Sequence, residues 1–382
     1  MAAVLIIGGG IAGAASAIAL HKAGIEVTVY EAHPRSSLDA GAFLTLASNG
    51  MRALRQIDAD ALVAQAGSAL TTMRICNGEG IEIATVPIGD HEYPATRYRY
   101  LTRATLRAVL QQEAQRRGIR IHRGKQLIRV ATHDRDLTAF FSDQTQARGD
   151  VLIGADGLHS TVRTLIDPAT AAPRYVGQRI FYGYSTDTTV RSDPDHFHVI
   201  RGTTAFGYIV TRNEGTWWFA RVHDDELDRD GLRSGTTQQW KSALSALLQH
   251  EQSPAPSIVN ATHRILVTNA YDLPDVAAWH RDGMLIIGDA AHAASPATGQ
   301  GASMALEDAV ILAKALRDQP DVEHAFTKYE QLRRERVHAN INASARLSAR
   351  RDLAQQSAPS PRTATPSDDT INTQLEWNTT LE

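Results

Sequence analysis

A mixed α/β fold is predicted, with a nucleotide-binding parallel sheet interleaved with a smaller antiparallel sheet. Three observations predict it. A short apolar run, Val4–Ile7, leads through a glycine-rich turn and a small-residue helix to a second apolar strand ending at Glu31. Two later apolar runs, Val151–Ile153 and Met284–Ile287, also end in small residues followed by Asp. Between them, residues 175–268 alternate aromatic and β-branched residues with polar ones, the pattern of an antiparallel sheet.

The opening segment sets the frame. Val4–Ile7 is continuously apolar, as expected of a central strand buried on both faces. Gly8, Gly10 and Gly13 then form G-x-G-x-x-G, with Gly9 inside it. Gly8 permits the tight turn, Gly10 lets backbone approach a pyrophosphate, and Gly13 allows close helix–strand packing. The helix over Ala12–Leu20 would turn its free N–H groups and positive dipole end toward phosphates. Glu31, closing the strand Val27–Tyr30, is placed to accept hydrogen bonds from a ribose hydroxyl pair. A glycine-rich turn alone would be weak. Strand, turn, helix, strand and terminal acid in this order indicate dinucleotide binding, and leave FAD and NAD(P) both open.

Composition narrows the class. The chain has 382 residues, 43% of them hydrophobic and 21% charged, ordinary for a globular protein of one large domain with an insertion, or of two domains. A formal net charge of -3 gives no reason to expect nucleic acid or an anionic membrane as partner. Cys76 is the only cysteine, which excludes an intramolecular disulfide and argues against a thiolate cluster. The N-terminal apolar run is used as a strand and lacks a basic flank, and no apolar run reaches membrane-spanning length. A cytoplasmic protein, monomeric or homodimeric, is expected.

Taken in order, the chain leaves the nucleotide domain and returns. Met51, Leu54 and Ile57 lie on one helical face, and 72–88 alternates around Asn77-Gly78-Glu79-Gly80 as a β-hairpin. Leu106, Val109 and Leu110 mark another helix. Short strands follow at Ile119–His122, Leu127–Val130 and Leu137–Phe141. A helix is expected over Ala302–Leu316 and a basic one over Phe326–Arg350, its Arg333-Arg334-Glu335-Arg336 run read as a solvated face. Glu307-Asp308 is read as complementing the helix dipole or the surface. The expected nucleotide domain comprises 1–71, 97–174 and 269–350, and the β-rich domain 72–96 and 175–268. The tail 351–382, rich in Ser, Pro, Thr and Gln, is expected to be poorly ordered.

Three motifs stand together: the opening fingerprint, Gly154-Ala155-Asp156-Gly157 with Ser160 and Arg163 after it, and Gly288-Asp289-Ala290-Ala291-His292 followed by Pro296 and Gly299-Gln300-Gly301. Together they resemble the class A, FAD-dependent aromatic hydroxylases, over roughly residues 3–345. The resemblance implies a Rossmann-like FAD-binding domain with an interleaved antiparallel substrate sheet. It implies FAD contacts at Gly8, Gly10, Ile11, Ala12, Gly13, Glu31, Ala32, Arg103, Leu127, Asp156, Gly288, Asp289, Pro296, Gly299, Gln300, Gly301 and Ala302. Asp289 would meet a ribityl hydroxyl, Arg103 the ribityl-phosphate region, and Gly299-Gln300-Gly301 the isoalloxazine ring. The helix near Ala302 would aim its N-terminus at the flavin edge that becomes anionic on reduction. Asp156 would serve both FAD and NAD(P)H, or else cap a helix starting near Ser160. His292 is expected to be structural, and His196 with His198 lacks a third ligand for a metal. Two departures are visible. Ala32-His33 replace an arginine usual after the ribose acid, and Ala293 replaces a proline usual after the His.

The implied activity is an NADPH- or NADH-consuming monooxygenase with noncovalent FAD. It would act on a small aromatic or polycyclic substrate with dioxygen, through a flavin C4a-hydroperoxide. The alternatives are a same-fold FAD protein doing non-oxygenating cyclisation, epoxidation or Baeyer–Villiger oxidation, as in secondary metabolism, and an NAD(P)-dependent dehydrogenase. Period-2 alternation places Trp218 and Ala220 on one sheet face and Trp217, Phe219 and Arg221 on the other. Phe206, Tyr208, Trp218 and Ala220 are expected to face the substrate.

Overall fold

The computed structural model describes residues 3–34, 42–89, 93–133, 136–186, 190–349 and 366–381. The expected turn around Arg35–Gly41 lies outside them. The central sheet runs in the order 280–281, 284–286, 151–154, 3–7, 26–31 and 120–123; its inner strands are apolar and buried, and its edges 280–281 and 120–123 are polar and partly exposed. All its pairs are parallel except the edge hairpin 280–286. Its strands end together at the Gly8–Gly10 turn, Ala155–Gly157 and Gly288–Asp289, which is where ligands meet open α/β sheets. Helices Ile11–Lys22 and Gly301–Asp318 pack against each other on this sheet. Ala14–Leu20 are all buried, because small side chains let the helix approach on every side.

The second sheet has seven strands, ordered 262–272, 174–185, 216–223, 205–210, 196–201, 72–77 and 82–87. The 72–87 hairpin joins it through a parallel pairing with 196–201; its other pairs are antiparallel. Its two faces are both apolar, for different reasons. One buries Phe206, Tyr208, Trp218 and Ala220 under helices Thr237–Leu248 and Ala255–Asn260. The other turns Trp217, Phe219, Tyr182 and Tyr184 toward Phe43, Leu70 and Tyr100. These last three belong to a small sheet formed by 43–46, 98–102 and 68–70.

Two expectations are corrected here. Within the tail, Pro366–Leu375 is a helix, and Ile371, Leu375 and Leu381 bury their side chains against the first domain. The buried Lys314 Nζ donates to Gln374 O at 2.6 Å and Thr379 Oγ1 at 3.0 Å, so this segment supplies what an interior lysine requires. The basic run near Arg333 is no solvated face either. Arg333 is fully buried, and Arg334 donates to Glu330, Val276 O and Ala277 O.

Candidate active site: a flavin cradle facing an aromatic sheet

The first turn is held by close contacts. Gly8 has φ +102°, and a Cβ there would lie 2.3 Å from Ala155 O; one on Gly13 would lie 2.0 Å from Gly8 O. Side chains at either position are excluded. Glu31 accepts from Gly9 N at 2.7 Å and His33 N at 2.8 Å, tying the strand end to the turn. Gln111, itself held by Arg123 at 2.6 Å, donates to Gly9 O. Ala32 continues from Glu31, and Leu127 is buried at the start of its strand.

Where a cofactor would lie, the backbone is bare. A Cβ on Gly10 or Gly301 would meet nothing within 4 Å, and one on Gly299 only Thr45 Oγ1 at 3.4 Å. Neither helix Ile11–Lys22 nor Gly301–Asp318 has a side-chain cap, so Ile11, Ala12, Gly301 and Ala302 present first-turn amides to this space. Asp289 begins a short helix after Gly288 at φ +57°, and no hydrogen bond engages its carboxylate among the described residues. Arg103 is exposed at the start of its helix, with its backbone N bonded to Ala42 O at 3.0 Å. Bare glycines, free amides and an unengaged carboxylate fit an FAD molecule running from Glu31 to Gly299–Ala302.

Asp156 has another engagement. It accepts from Ser160 Oγ at 2.6 Å, Thr161 N at 2.8 Å and Val162 N at 3.2 Å, capping helix Thr161–Ile166. Burial raises its pKa against those hydrogen bonds. Arg163 donates to Ala290 O and Leu158 O, joining the second motif to the third.

Beneath the Gly288 and Gly299 turns lies an ionic cluster that sequence reasoning missed. Asp308 accepts from His292 Nε2 at 2.6 Å, Gly288 N at 2.9 Å and Arg333 Nε at 2.8 Å. Glu307 accepts from Arg333 at 2.6 Å, Arg336 at 2.8 Å and Asn49 at 2.7 Å. Asn49 also donates to Gln300 Oε1 at 3.2 Å. Burial opposes the charge on both carboxylates. His292 and Arg333 outweigh it at Asp308, and Arg333 and Arg336 at Glu307, so both stay below the usual carboxylate range. A signal was present: an acidic pair inside a helix otherwise apolar from Met304 to Ala313 must find a cation. Pro296 and Thr298 are fixed from the same side, since Thr298 Oγ1 donates to Asn340 and Ser295 bonds Ser344 O and Ser348.

The four sheet residues expected to face the substrate lie in a packed core. Trp218 Nε1 donates to Thr262 Oγ1 at 2.9 Å, and its ring stacks on Phe206 at 5.2 Å, beneath the sheet's own helices. Tyr208 stacks on His198 at 4.4 Å. Phe206, Tyr208, Trp218 and Ala220 are therefore core. Phe43 instead meets Tyr182, Trp217 and Phe219, at ring distances of 6.1, 5.9 and 6.2 Å. Two residues along that strand, Thr45 stands against Gly299. The face carrying Trp217 and Phe219 is thus the one joined to the Gly299 loop. Among the described residues, no group of three or more His, Cys, Asp or Glu could hold a metal, and no helix is long and apolar enough to cross a membrane.

A parallel dinucleotide-type sheet whose strands end together at three glycine turns, with uncapped helix starts there and an aromatic sheet beside it, fits a flavoprotein oxidoreductase. The family described as FAD binding domain matches residues 1–344, and the chain belongs to it, among the class A FAD-dependent aromatic hydroxylases. It is a flavoprotein monooxygenase. The chain is 30% identical over 354 residues to aurachin C monooxygenase/isomerase of Stigmatella aurantiaca, covering 90% of this chain and 88% of that one. It is 29% identical over 352 residues to 3-amino-4-hydroxybenzoate 2-monooxygenase of Streptomyces cremeus, covering 90% and 86%. In fold it matches HpxO of Klebsiella pneumoniae complexed with FAD and uric acid, with a TM-score of 0.82, 21% identity, and coverage of 98% and 96%.

Proposed function

We propose that this monooxygenase transfers one atom of dioxygen to an electron-rich carbon of an aromatic or polycyclic small molecule, using NADPH or NADH as reductant. The balance is substrate C–H, dioxygen, NAD(P)H and a proton giving substrate C–OH, NAD(P)+ and water. Bound FAD would supply the electron transfer and the oxygen activation. The chain's own part is binding and enclosure. Glu31 and the amides at Gly10–Ala12 would hold the adenosine diphosphate half, and Asp289 the ribityl chain. Gly299–Ala302 would hold the ring system, with Arg103 beside the phosphates. Trp217, Phe219, Tyr182 and Phe43 would hold a planar substrate and exclude water. One observation carries this reading: the aromatic face of the second sheet and the Gly299 loop meet on the same short strand, at Phe43 and Thr45.

A secondary-metabolic substrate is favoured by the names of two similar proteins, aurachin C monooxygenase/isomerase and CtdE, the latter solved with FAD and its substrate. The test is a panel of aromatic and polycyclic compounds, scored by stimulated NAD(P)H consumption and by product mass under labelled dioxygen. One labelled oxygen per product supports the reading. Turnover without label in the product replaces it with non-oxygenating chemistry.

A further inference from the structure

The corner between strand Phe43–Leu46 and helix Ser48–Gln56 is stitched to the start of helix Gly301–Asp318 at alternate residues. Thr45 Oγ1 stands against Gly299, and the Ala47 amide donates to Ser303 Oγ at 3.1 Å. Asn49 Nδ2 donates to Glu307 Oε1 at 2.7 Å and to Gln300 Oε1 at 3.2 Å. The approach is close, since a Cβ on Gly50 would lie 2.8 Å from Ser303 Oγ. One fixed charge sets the direction of each polar group in this junction. Glu307 is fully buried, and Arg333 and Arg336 hold its two oxygens. Burial raises its pKa, but the two guanidinium groups outweigh that, so the carboxylate is ionised and can only accept. Asn49 must therefore turn its NH2 group toward Glu307. The second hydrogen of that group needs an acceptor, so Gln300 must turn its oxygen inward. The planar amide of Gln300 then points its nitrogen away from Asn49. That nitrogen meets no acceptor among the described residues and is not sealed from solvent.

We infer that Asn49 is a positioning residue that carries the fixed charge of Glu307 to Gln300, locking the Gln300 carboxamide with its N–H groups toward the flavin ring, on the reading that Gly299–Ala302 holds that ring. The flavin edge that becomes anionic on reduction thereby gains a donor already in place, so the network favours the reduced cofactor. A freely rotating amide would cancel the preference, because it presents oxygen as readily as nitrogen. Asn49 acts from behind Gln300 and needs no contact with the cofactor.

The test is the midpoint potential of bound FAD, measured by spectroelectrochemical titration of the FAD-loaded protein without substrate. Asn49→Ala and Gln300→Ala are each expected to lower it by about 30 mV, the two-electron equivalent of a roughly tenfold loss of preference for reduced flavin. The double variant should shift no further than either single one, because both act through the same amide. Asn49→Ser, which keeps one short donor, should lie between wild type and Asn49→Ala, and replaces that variant in the comparison if Asn49→Ala fails to retain FAD. A wild-type potential in either single variant overturns the inference. So do additive shifts, which would give Asn49 an effect of its own. Placement of the ring is checked separately. A side chain on Gly301 would enter open space, so Gly301→Val should displace the ring and change the flavin spectrum or the FAD content. An unaltered spectrum and content there refute the ring placement and the inference with it. An altered one, with unmoved potentials in the Asn49 and Gln300 variants, refutes the positioning role alone. No turnover is involved, so these results are separable from failure of the oxygenation assay.

Discussion

At the scale of single residues, two carboxylates end motif strands and do different work. Glu31 spends part of its hydrogen-bonding capacity on Gly9 and His33, and holds the turn in shape even before a ribose arrives. Glu31→Ala is expected to weaken FAD binding by about 1.5–3 kcal/mol, through lost charge-assisted bonds and a loosened turn. Titration of apo-protein with FAD measures it, and unchanged affinity would remove Glu31 from the cofactor site. Asp156 uses both oxygens on its own helix. Asp156→Ala should cost about 0.5–2 kcal/mol of stability as a lost cap. Calorimetric melting measures that loss, and stopped-flow reduction of the flavin shows whether the carboxylate has a second task. A wild-type reduction rate would leave it a cap alone. The glycines and both acids were legible because each has a local reason: a forbidden Cβ, a strand end, a helix start. Arg333 was not, since its partners are 25 and 26 residues away and adjacent sequence describes only its own helix.

At the scale of elements, the strand Thr216–His223 shows what pattern alone leaves open. Alternation identifies two faces, but which one is covered depends on helices Thr237–Leu248 and Ala255–Asn260, which lie elsewhere in the chain. Glycines settle it once pairings are known. A Cβ on Gly183 would sit 2.2 Å from the Trp218 ring, and one on Gly207 2.4 Å from Phe219, so each ring lies over the glycine opposite. Trp218→Ala is expected to cost about 3–5 kcal/mol of stability as a core truncation. Trp217→Ala should spare more of the fold and divert NAD(P)H consumption to hydrogen peroxide, measured by peroxide yield per product. The reverse pattern would exchange the two faces. The ionic cluster under helix Gly301–Asp318 makes its own prediction. Asp308 and Glu307 release protons more readily folded than unfolded. Their stabilisation is therefore complete above about pH 4–5 and is lost as pH falls toward the folded pKa values. Arg333→Met should cost about 3–5 kcal/mol at neutral pH by removing the one fully buried cation that both carboxylates share, leaving Glu307 to Arg336 and Asp308 to His292. The melting-temperature gap to wild type should then narrow on acidification, and a gap independent of pH would refute the assignment.

At the scale of the whole molecule, the chain closes on itself through its last described helix. Ile371, Leu375 and Leu381 seal the side of helix Gly301–Asp318, and Lys22 and Arg317 each stand 5.1 Å from the Trp377 ring. Deletion of residues 366–382 should lower stability by roughly 3–6 kcal/mol, from three exposed aliphatic contacts and an uncapped Lys314. FAD content should persist, because the cradle lies at the other end of that helix; thermal melting with flavin release as a second readout tests both. The seven-stranded sheet has a wider consequence. One face packs Phe206 and Trp218 under the two covering helices, while the other packs Trp217 and Phe219 against the separate small sheet of Phe43, Leu70 and Tyr100. Mutational drift at positions 217, 219 and 221 is thereby uncoupled from drift at 218 and 220. On the proposed function, a lineage carrying this sheet can exchange the compounds it oxidises one side chain at a time while the helix-covered core keeps the fold.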